Sequence, residues 1–452
     1  FVYANTFVGG FVWDDASSIL LHESVQDFSG VLMLFVEDQH AYAGGQGNFY
    51  RPLVAMSFWV DFWLSYSGPG ISESDVVVSE LSPFLFHLDS ILWHCLSGVF
   101  LMLLLRNFGA SVRVCGVAAL LYVVHPLHTE AVSYISGRAD SMSAVFLFGG
   151  LYCGTRRFGD GGPRGVWFWC GVSLLCFVCG LLSKESSFIF PALLVLGYFA
   201  LNRIEGRGWQ RHQWVLAACT GVVLGVYGLL RTGSGPLNFG SDSGAATTGF
   251  GERVVETLQS FAYYLGLLFI PSSLHMERTL ESATWITALL GFLGLCVCLC
   301  LAGYGFFRGR YRILFGASWF MVCWLPISGL FPLNAPMAEH WMYVPLGGFL
   351  WVLVELLFVV WADRVGDGFR VSYGYGVGVL VCVWGVYLAL TGVGRNPDWS
   401  SNQAIYEATL RENPRSSRVH YNLAVTYEDM LGNAEGAKRH FRSVLGLYRV
   451  QK

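Results

Sequence analysis

RVVETLQSFAYYLGLLFI, residues 253–270, is the stretch on which the topology of this chain turns. It approaches the roughly 20 residues needed to cross a bilayer, and counting it as a span moves every later link to the opposite side. The arginines arbitrate. Links 106–113, 156–164, 202–213, 307–312 and 363–370 carry Arg106, Arg113, Arg156, Arg157, Arg164, Arg203, Arg207, Arg211, Arg308, Arg310, Arg312, Arg364 and Arg370. The opposite segments up to 392 carry only Arg51, Arg138, Lys184, Arg231, Arg253 and Arg278. Lys and Arg concentrate on the cytoplasmic side of membrane proteins. That bias holds only if 253–270 does not cross, since a crossing would carry the Arg308–Arg312 cluster to the other side. We therefore read 253–270 as an interfacial or re-entrant helix.

Composition agrees with a chain solvated largely by lipid. Charged residues make up 13% of the 452, about half the share in soluble domains, and mean hydropathy is +0.50. Sixteen Trp and 34 Phe suit membrane interfaces. A net charge of −3 points away from nucleic acid. The twelve cysteines fall in apolar stretches and read as buried thiols acting as small hydrophobes, with no disulfide framework. No Asn-x-Ser/Thr acceptor occurs.

The expected fold is all-α and polytopic, with about eleven spans. Residues 1–10 read as the end of a first membrane helix, and further spans fall near 84–105, 111–125, 139–155, 166–182, 187–201, 214–230, 285–306, 313–331, 343–362 and 371–392. The membrane domain covers 1–395, with a cytoplasmic N-terminus and long outer segments at 14–83 and 231–284. The first holds ten Asp and Glu against one Arg, and its NFYRPLVAMSFWVDFWLSY (48–66) reads as an interfacial helix. The second contains TGSGPLNFGSDSGAATTG (232–249), a loop by composition. After NPDW (396–399) the chain turns polar. In RVHYNLAVTYEDMLGNAEGAKRHFRSVL, Leu423, Ala424, Tyr427, Ala437 and Phe441 follow a tetratricopeptide-type helix-turn-helix with one inserted residue. Residues 396–452 are therefore expected to form a helical tail that binds extended polypeptide or caps the membrane domain.

Charge at membrane depth is costly and marks functional sites. Ionisable groups gather at five places on the outer side: Asp14 and Asp15; Arg51; HPLHTEAVSYISGRAD (125–140); SKE (183–185); and PLNAPMAEHW (332–341). Asp14-Asp15 reads equally as a helix exit and as a pair of carboxylates dividing catalytic labour. His125, His128 and Glu130 lack the spacing of a dedicated zinc motif, so no metal is expected and hydrogen bonding or phosphate contact is the better reading. Arg138 and Lys184 each lie near an acid, Asp140 and Glu185, in a way that suits anion binding. Glu339-His340 reads as a turn anchor or a site pair. An acid on one wall and cations on another fit a lipid-phosphate donor, whose leaving group needs positive charge while the acceptor hydroxyl needs a base.

FVWDD (11–15), YRPL (50–53), FHLDSILWH (86–94), the HPLHTEAVSYISGRAD block, LLSKES (181–186) and AEHWMYVPLGGF (338–349), in this order and followed by repeat sequence, resemble the transmembrane and tetratricopeptide-repeat protein O-mannosyltransferases of the GT-C superfamily. The resemblance implies an integral membrane enzyme of the ER or a bacterial inner membrane. Such an enzyme moves a monosaccharide, mannose in this family, from a polyprenyl- or dolichyl-phosphate carrier to Ser/Thr hydroxyls on the lumenal or periplasmic face, and needs no further cofactor. It implies Asp14 or Asp15 as the catalytic acid of the first outer loop, and Arg138, Lys184, Arg51 and His125 as donor-phosphate contacts. His87, His128, Glu130, Asp140, Glu185, Glu339 and His340 then line the substrate pocket, and the tail holds the protein acceptor. Asp89 departs from the family pattern, where Asn is expected. Two rival readings stand beside this one: a transferase acting on a lipid or cell-envelope glycan, and a non-enzymatic membrane scaffold with a repeat tail.

Overall fold

The computed structural model describes residues 1–40, 49–66, 81–156, 162–233, 249–280, 283–331, 333–360 and 370–450. Arg157, Arg364 and most of the 232–249 loop lie outside the described residues. Among the described residues the chain is helical, with only isolated bridges at Tyr66–Leu81 and Arg278–Met337. The helices are α1 (Glu23–Gln26), α2 (Pro52–Ser65), α3 (Phe84–Asn107), α4 (Val112–Val124), α5 (Thr129–Ser133), α6 (Arg138–Thr155), α7 (Gly162–Ser183), α8 (Phe190–Glu205), α9 (Arg211–Gly233), α10 (Phe250–Phe269), α11 (Trp285–Phe307), α12 (Tyr311–Trp324), α13 (Tyr343–Glu355), α14 (Arg370–Arg395), α15 (Asn402–Glu412), α16 (Ser417–Val425) and α17 (Ala434–Val450). The twelve cysteines are free.

Seven of the described helical segments are long and apolar enough to cross a membrane, and eight if α4 and the following turn count as one span bent by 52°. Eleven is not reached on length and apolarity. Helix α12 has 14 residues. Residues 1–10, expected as a helix end, form only a 3-10 turn at Ala4–Val8. Helix α6 carries Arg138 and Asp140 in its first turn, so its hydropathy is low, yet it is buried nearly from end to end. It packs against α3, α7 and α8 and is the hub of the bundle.

Helix α10, which contains the stretch 253–270, is not among the spanning candidates. Its buried residues Thr257, Ser260, Phe261, Tyr264, Leu267 and Leu268 recur every three or four positions, leaving one stripe against the bundle. Its C-terminal carbonyls are pinned by His125, which donates from Nε2 to Leu268 O at 3.1 Å, and by Trp384, which donates to Phe269 O at 2.8 Å.

Two glycine features fix the scaffold around the site. Gly137 ends the turn between α5 and α6, where a Cβ would stand 2.4 Å from the Glu130 carbonyl oxygen. Helices α12 and α13 cross backbone to backbone at Gly316 and Gly348, where a Cβ on Gly348 would lie 2.7 Å from Gly316 O and 2.9 Å from Phe320 N. Backbone cannot step aside as a flexible side chain can. Gly348→Ala is therefore expected to destabilise the bundle by about 1–3 kcal/mol, read as a lower melting temperature in detergent, whereas Gly374→Ala, with open space around it, should leave the melt unchanged.

Candidate active site

The turn Val12–Asp15 lies at the end of the bundle where α3, α6 and α8 begin. It is closed twice: Asp15 N donates to Val12 O at 2.9 Å, and Val12 N donates to Asp15 Oδ2 at 2.9 Å. The other oxygen of Asp15 accepts from Ser136 N at 2.8 Å and Ser136 Oγ at 2.6 Å. Asp15 is fully buried. With three donors on its oxygens it ties the turn to the α5–α6 connection and has no face left for a substrate.

Asp14 differs in every respect. Its side chain is half-buried, and the Tyr134 hydroxyl and the charges of His40, Arg418 and Arg51 all favour its ionised form. Burial raises its carboxyl above the ordinary aspartate range, opposed by those three cations and the Tyr134 donor. His40 shares its Nδ1 with Ser17 Oγ at 2.8 Å and Ser18 Oγ at 3.1 Å, and burial lowers its pKa. One carboxylate braces and its neighbour is presented.

The cations whose charge reaches Asp14 include Arg51 of the YRPL position and Arg418 of the tail. Arg51 grips Glu185 with two bonds, Nε to Oε2 at 3.2 Å and Nη2 to Oε1 at 2.8 Å, and its guanidinium lies 4.8 Å from the Phe49 ring centre. The Glu185 side chain is 42% exposed. Lys184 Nζ meets Asp140 Oδ1 at 2.7 Å in a mostly buried pair. Tyr227 stands close enough to the Arg51–Glu185 pair to feel its charge, and its buried hydroxyl has no hydrogen-bond partner among the described residues.

Arg138, expected on a phosphate, is buried beneath this surface with 0% exposure. Nη1 meets Asp61 at 2.6 Å, Asp89 at 3.0 Å and Ser57 Oγ at 3.0 Å; Nε donates to Ser90 and Nη2 to Phe86 O. It is a brace between α2, α3 and α6, and the expectation is corrected accordingly. His125 is likewise occupied: Leu127 N donates to its Nδ1 and its Nε2 holds Leu268 O. His128 packs deep among Tyr122, His94 and Tyr343, with ring centres 4.5, 5.2 and 4.2 Å away, and His87 is buried against Gly9. Glu130 pairs with His340 Nδ1 at 2.8 Å. Glu339 anchors the 273–278 loop, accepting from Arg278 at 2.8 and 3.0 Å and from His275 N at 2.7 Å. The described residues contain no group of three or more His, Cys, Asp or Glu side chains arranged to hold a metal ion.

Sequence reasoning missed Asp61, Tyr134, His40, Tyr227 and the tail residues near Trp13. Asp61 had a signal, as the lone charge inside α2. Tyr134 lay within a quoted motif. The others carry no local signal, since their proximity to Asp14 arises only on folding.

No protein-family model matches the chain. It is 24% identical over 486 residues to protein O-mannosyl-transferase TMTC4 of Homo sapiens, covering 97% of this chain and 64% of that protein. It is 25% identical over 476 residues to TMTC3 of Mus musculus, covering 97% and 49%. The chain resembles the TMTC proteins along almost its whole length. It spans about half to two thirds of these relatives. Among solved structures, an oligosaccharyltransferase of Archaeoglobus fulgidus aligns with a TM-score of 0.42 at 12% identity, over 86% of this chain and 51% of that one.

The two aspartates are separable by pH. Burial pushes the Asp15 carboxyl up to about 7 against the pull of its Ser136 and Val12 donors. In the unfolded chain it titrates near 4, so between these values the folded protein holds a proton that the unfolded chain has lost. Stability from this group therefore falls as pH rises from about 4 to about 7 and is level above. Asp15→Asn cannot ionise and should lose that part of the slope. Melting curves of both proteins across this window check it; parallel slopes would refute the assignment.

Proposed function

We propose that the chain is an inverting glycosyltransferase that takes a monosaccharide from a polyprenyl- or dolichyl-phosphate carrier and places it on Ser/Thr hydroxyls of proteins. The active site lies on the lumenal or periplasmic face of the membrane. Mannose is the sugar suggested by the names of the relatives. The observation that carries the reading is the presented carboxylate of Asp14 within reach of Arg51, whose ion pair with Glu185 adjoins the Lys184–Asp140 pair at one end of an apolar bundle. A soluble-substrate enzyme has no need to mount its acid and its cations there, whereas a lipid carrier delivers its phosphate at that depth.

In the proposed step Asp14 takes the proton of the acceptor hydroxyl. The freed oxygen forms the new bond to the anomeric carbon as the bond from that carbon to the phosphate oxygen breaks, and the carrier leaves as lipid phosphate. The charge developing on that phosphate needs positive partners. Arg51 and Lys184 are our choice, in place of Arg138 and His125. Both are already paired, so the donor enters by exchange: a phosphate takes over the Arg51 fork from the half-exposed Glu185, keeping two parallel hydrogen bonds. Tyr227 supplies a hydroxyl with no other described partner. The tail, whose α16 and α17 pack as a helical pair, suits an extended polypeptide acceptor.

Purified protein with a polyprenyl-phosphate sugar and a Thr-containing peptide tests this. Asp14→Asn should lower kcat by about 10²–10⁴-fold. Arg51→Lys keeps the charge but loses the fork, so it should raise KM for the donor more than it lowers kcat. With Asp14 raised by burial, the acid limb of kcat/KM should sit above the ordinary aspartate range, with the rate climbing as Asp14 loses its proton. Full transfer by Asp14→Asn would sink the proposal.

A further inference from the structure

Trp13, immediately before Asp14, has φ +50°, a left-handed backbone in a bulky residue. Such a conformation is unfavourable for any residue with a Cβ, and it persists only where the surroundings over-determine it. Gly9 and Gly10 precede it and supply no stiffness. The restraint comes instead from the far end of the chain. Trp13 N donates to Asn402 Oδ1 at 2.7 Å, across 389 residues. Its ring stacks on Tyr134 at 5.6 Å, and Tyr134 stacks in turn on Trp399 at 5.2 Å. Gly10 N donates to Ser400 O at 2.9 Å. Arg418 lies 5.9 Å from the Trp13 ring centre.

The clamp is itself anchored. Asn402 opens α15 directly after its N-cap Ser401, whose hydroxyl accepts from Ala404 N, so its place is set by the helix start. The next turn of the tail is bound to the membrane domain at Glu277, which accepts from Ser416 Oγ at 2.5 Å and from the Asn413 side chain at 3.2 Å, and meets Arg418 at 3.5 Å. Asp14 thus occupies the corner of a turn whose flanks are held by different parts of the chain: Asp15 by Ser136, and Trp13 by Asn402.

We propose that the tail completes the active site, with Asn402 as a positioning residue for Asp14 and Arg418 as part of its electrostatic surroundings. This rests on Asp14 being the base. The tail then serves every acceptor, large or small, because it shapes the carboxylate and not only the acceptor's path. The charged and titratable groups facing Asp14 are Asp15, His40, Arg51, Tyr134, Tyr406 and Arg418. Of these Arg418 is more than half exposed, so its charge is removable without opening the core.

The test uses the full chain with a polyprenyl-phosphate sugar and two acceptors: a short Thr peptide, and a folded Ser/Thr-bearing domain able to span the tail. Asn402→Ala should lower kcat on both acceptors alike, by about 10²-fold for a misplaced reacting group, with KM for the donor unchanged. Amide exchange of the peptide containing Trp13 should quicken, and the detergent melt reports whether the variant is folded. Asn402→Asp restores the acceptor oxygen and should recover most of kcat, while its added negative charge moves the acid limb to higher pH. Arg418→Gln should move that limb upward as well, since it removes a cation that stabilises the charged carboxylate; the exposed Arg415→Gln should not. Undiminished kcat in folded Asn402→Ala, or loss confined to the large acceptor, overturns the positioning role and leaves the Asp14 reading standing. Absence of transfer by the unmodified protein removes the Asp14 reading, and the positioning role with it, whatever the exchange data show.

Discussion

A guanidinium with no exposure to solvent is tolerable only if its charge and its donors are satisfied, and that requirement organises the end of the bundle that carries Asp14 and Asp15. Arg138 reaches Asp61 on α2 and Asp89 on α3 while standing at the first position of α6. Three helices are held at one point. Breaking a buried pair costs more than making it gains, so the junction acts as a registry device more than a source of stability. One cation among two acids also leaves a surplus of negative charge, and Asp61 is pushed up to about 6 by burial first, with Asp89 adding to the rise and Arg138 opposing it. Everything functional is displaced from this junction by a few residues. Arg51 is the N-cap of α2, and Tyr134 and Ser136 lie in the connection that delivers Arg138.

From that junction follows the division between the two aspartates. The α5–α6 connection is fixed where it enters α6, by Arg138 and by Gly137, where only a residue without Cβ fits against the Glu130 carbonyl. Ser136 is therefore a rigid post, and Asp15 binds it. Asp14, one residue earlier, must then point elsewhere, toward Tyr134, His40 and the Arg51 side. Adjacent carboxylates take opposite fates because one of them has an immobile donor to satisfy. Neither residue type nor spacing carries that distinction.

This is also the boundary of what the sequence discloses. Helix positions were legible because a lipid-facing segment must be long and apolar. The exclusion of 253–270 from crossing rested on charge counting, and the buried stripe of α10 is compatible with it. Candidate residues could be picked from the sequence because ionisable groups in apolar context are rare, though Asp61, Tyr134, His40 and Tyr227 escaped that filter. Their roles were not. Arg138 and Lys184 look alike in sequence, each a cation near an acid, yet one is enclosed by Asp61, Asp89 and two serines while the other, nearly as buried, holds Asp140 alone. The number of partners separates them, and that is a property of the packed bundle. Seven or eight described segments meet a length-and-apolarity measure; α6, counted from the sequence, falls outside it because its first turn carries Arg138 and Asp140.

The tail shows the same logic at longer range. A helical pair with polar outer faces cannot bury its own apolar side, and here Ile405, Tyr406, Val419 and Leu423 cover theirs against Val12, Tyr134 and Met276. That packing brings the start of α15 over the turn carrying Asp14. Helices packed onto the bundle through such a contact have no freedom to swing away without uncovering Trp399, which is 1% exposed, and the stack it forms with Tyr134. Under the proposed function, acceptor capture and carboxylate placement become two uses of one joint, and a substitution in the tail reaches the turn carrying Asp14 through backbone geometry alone.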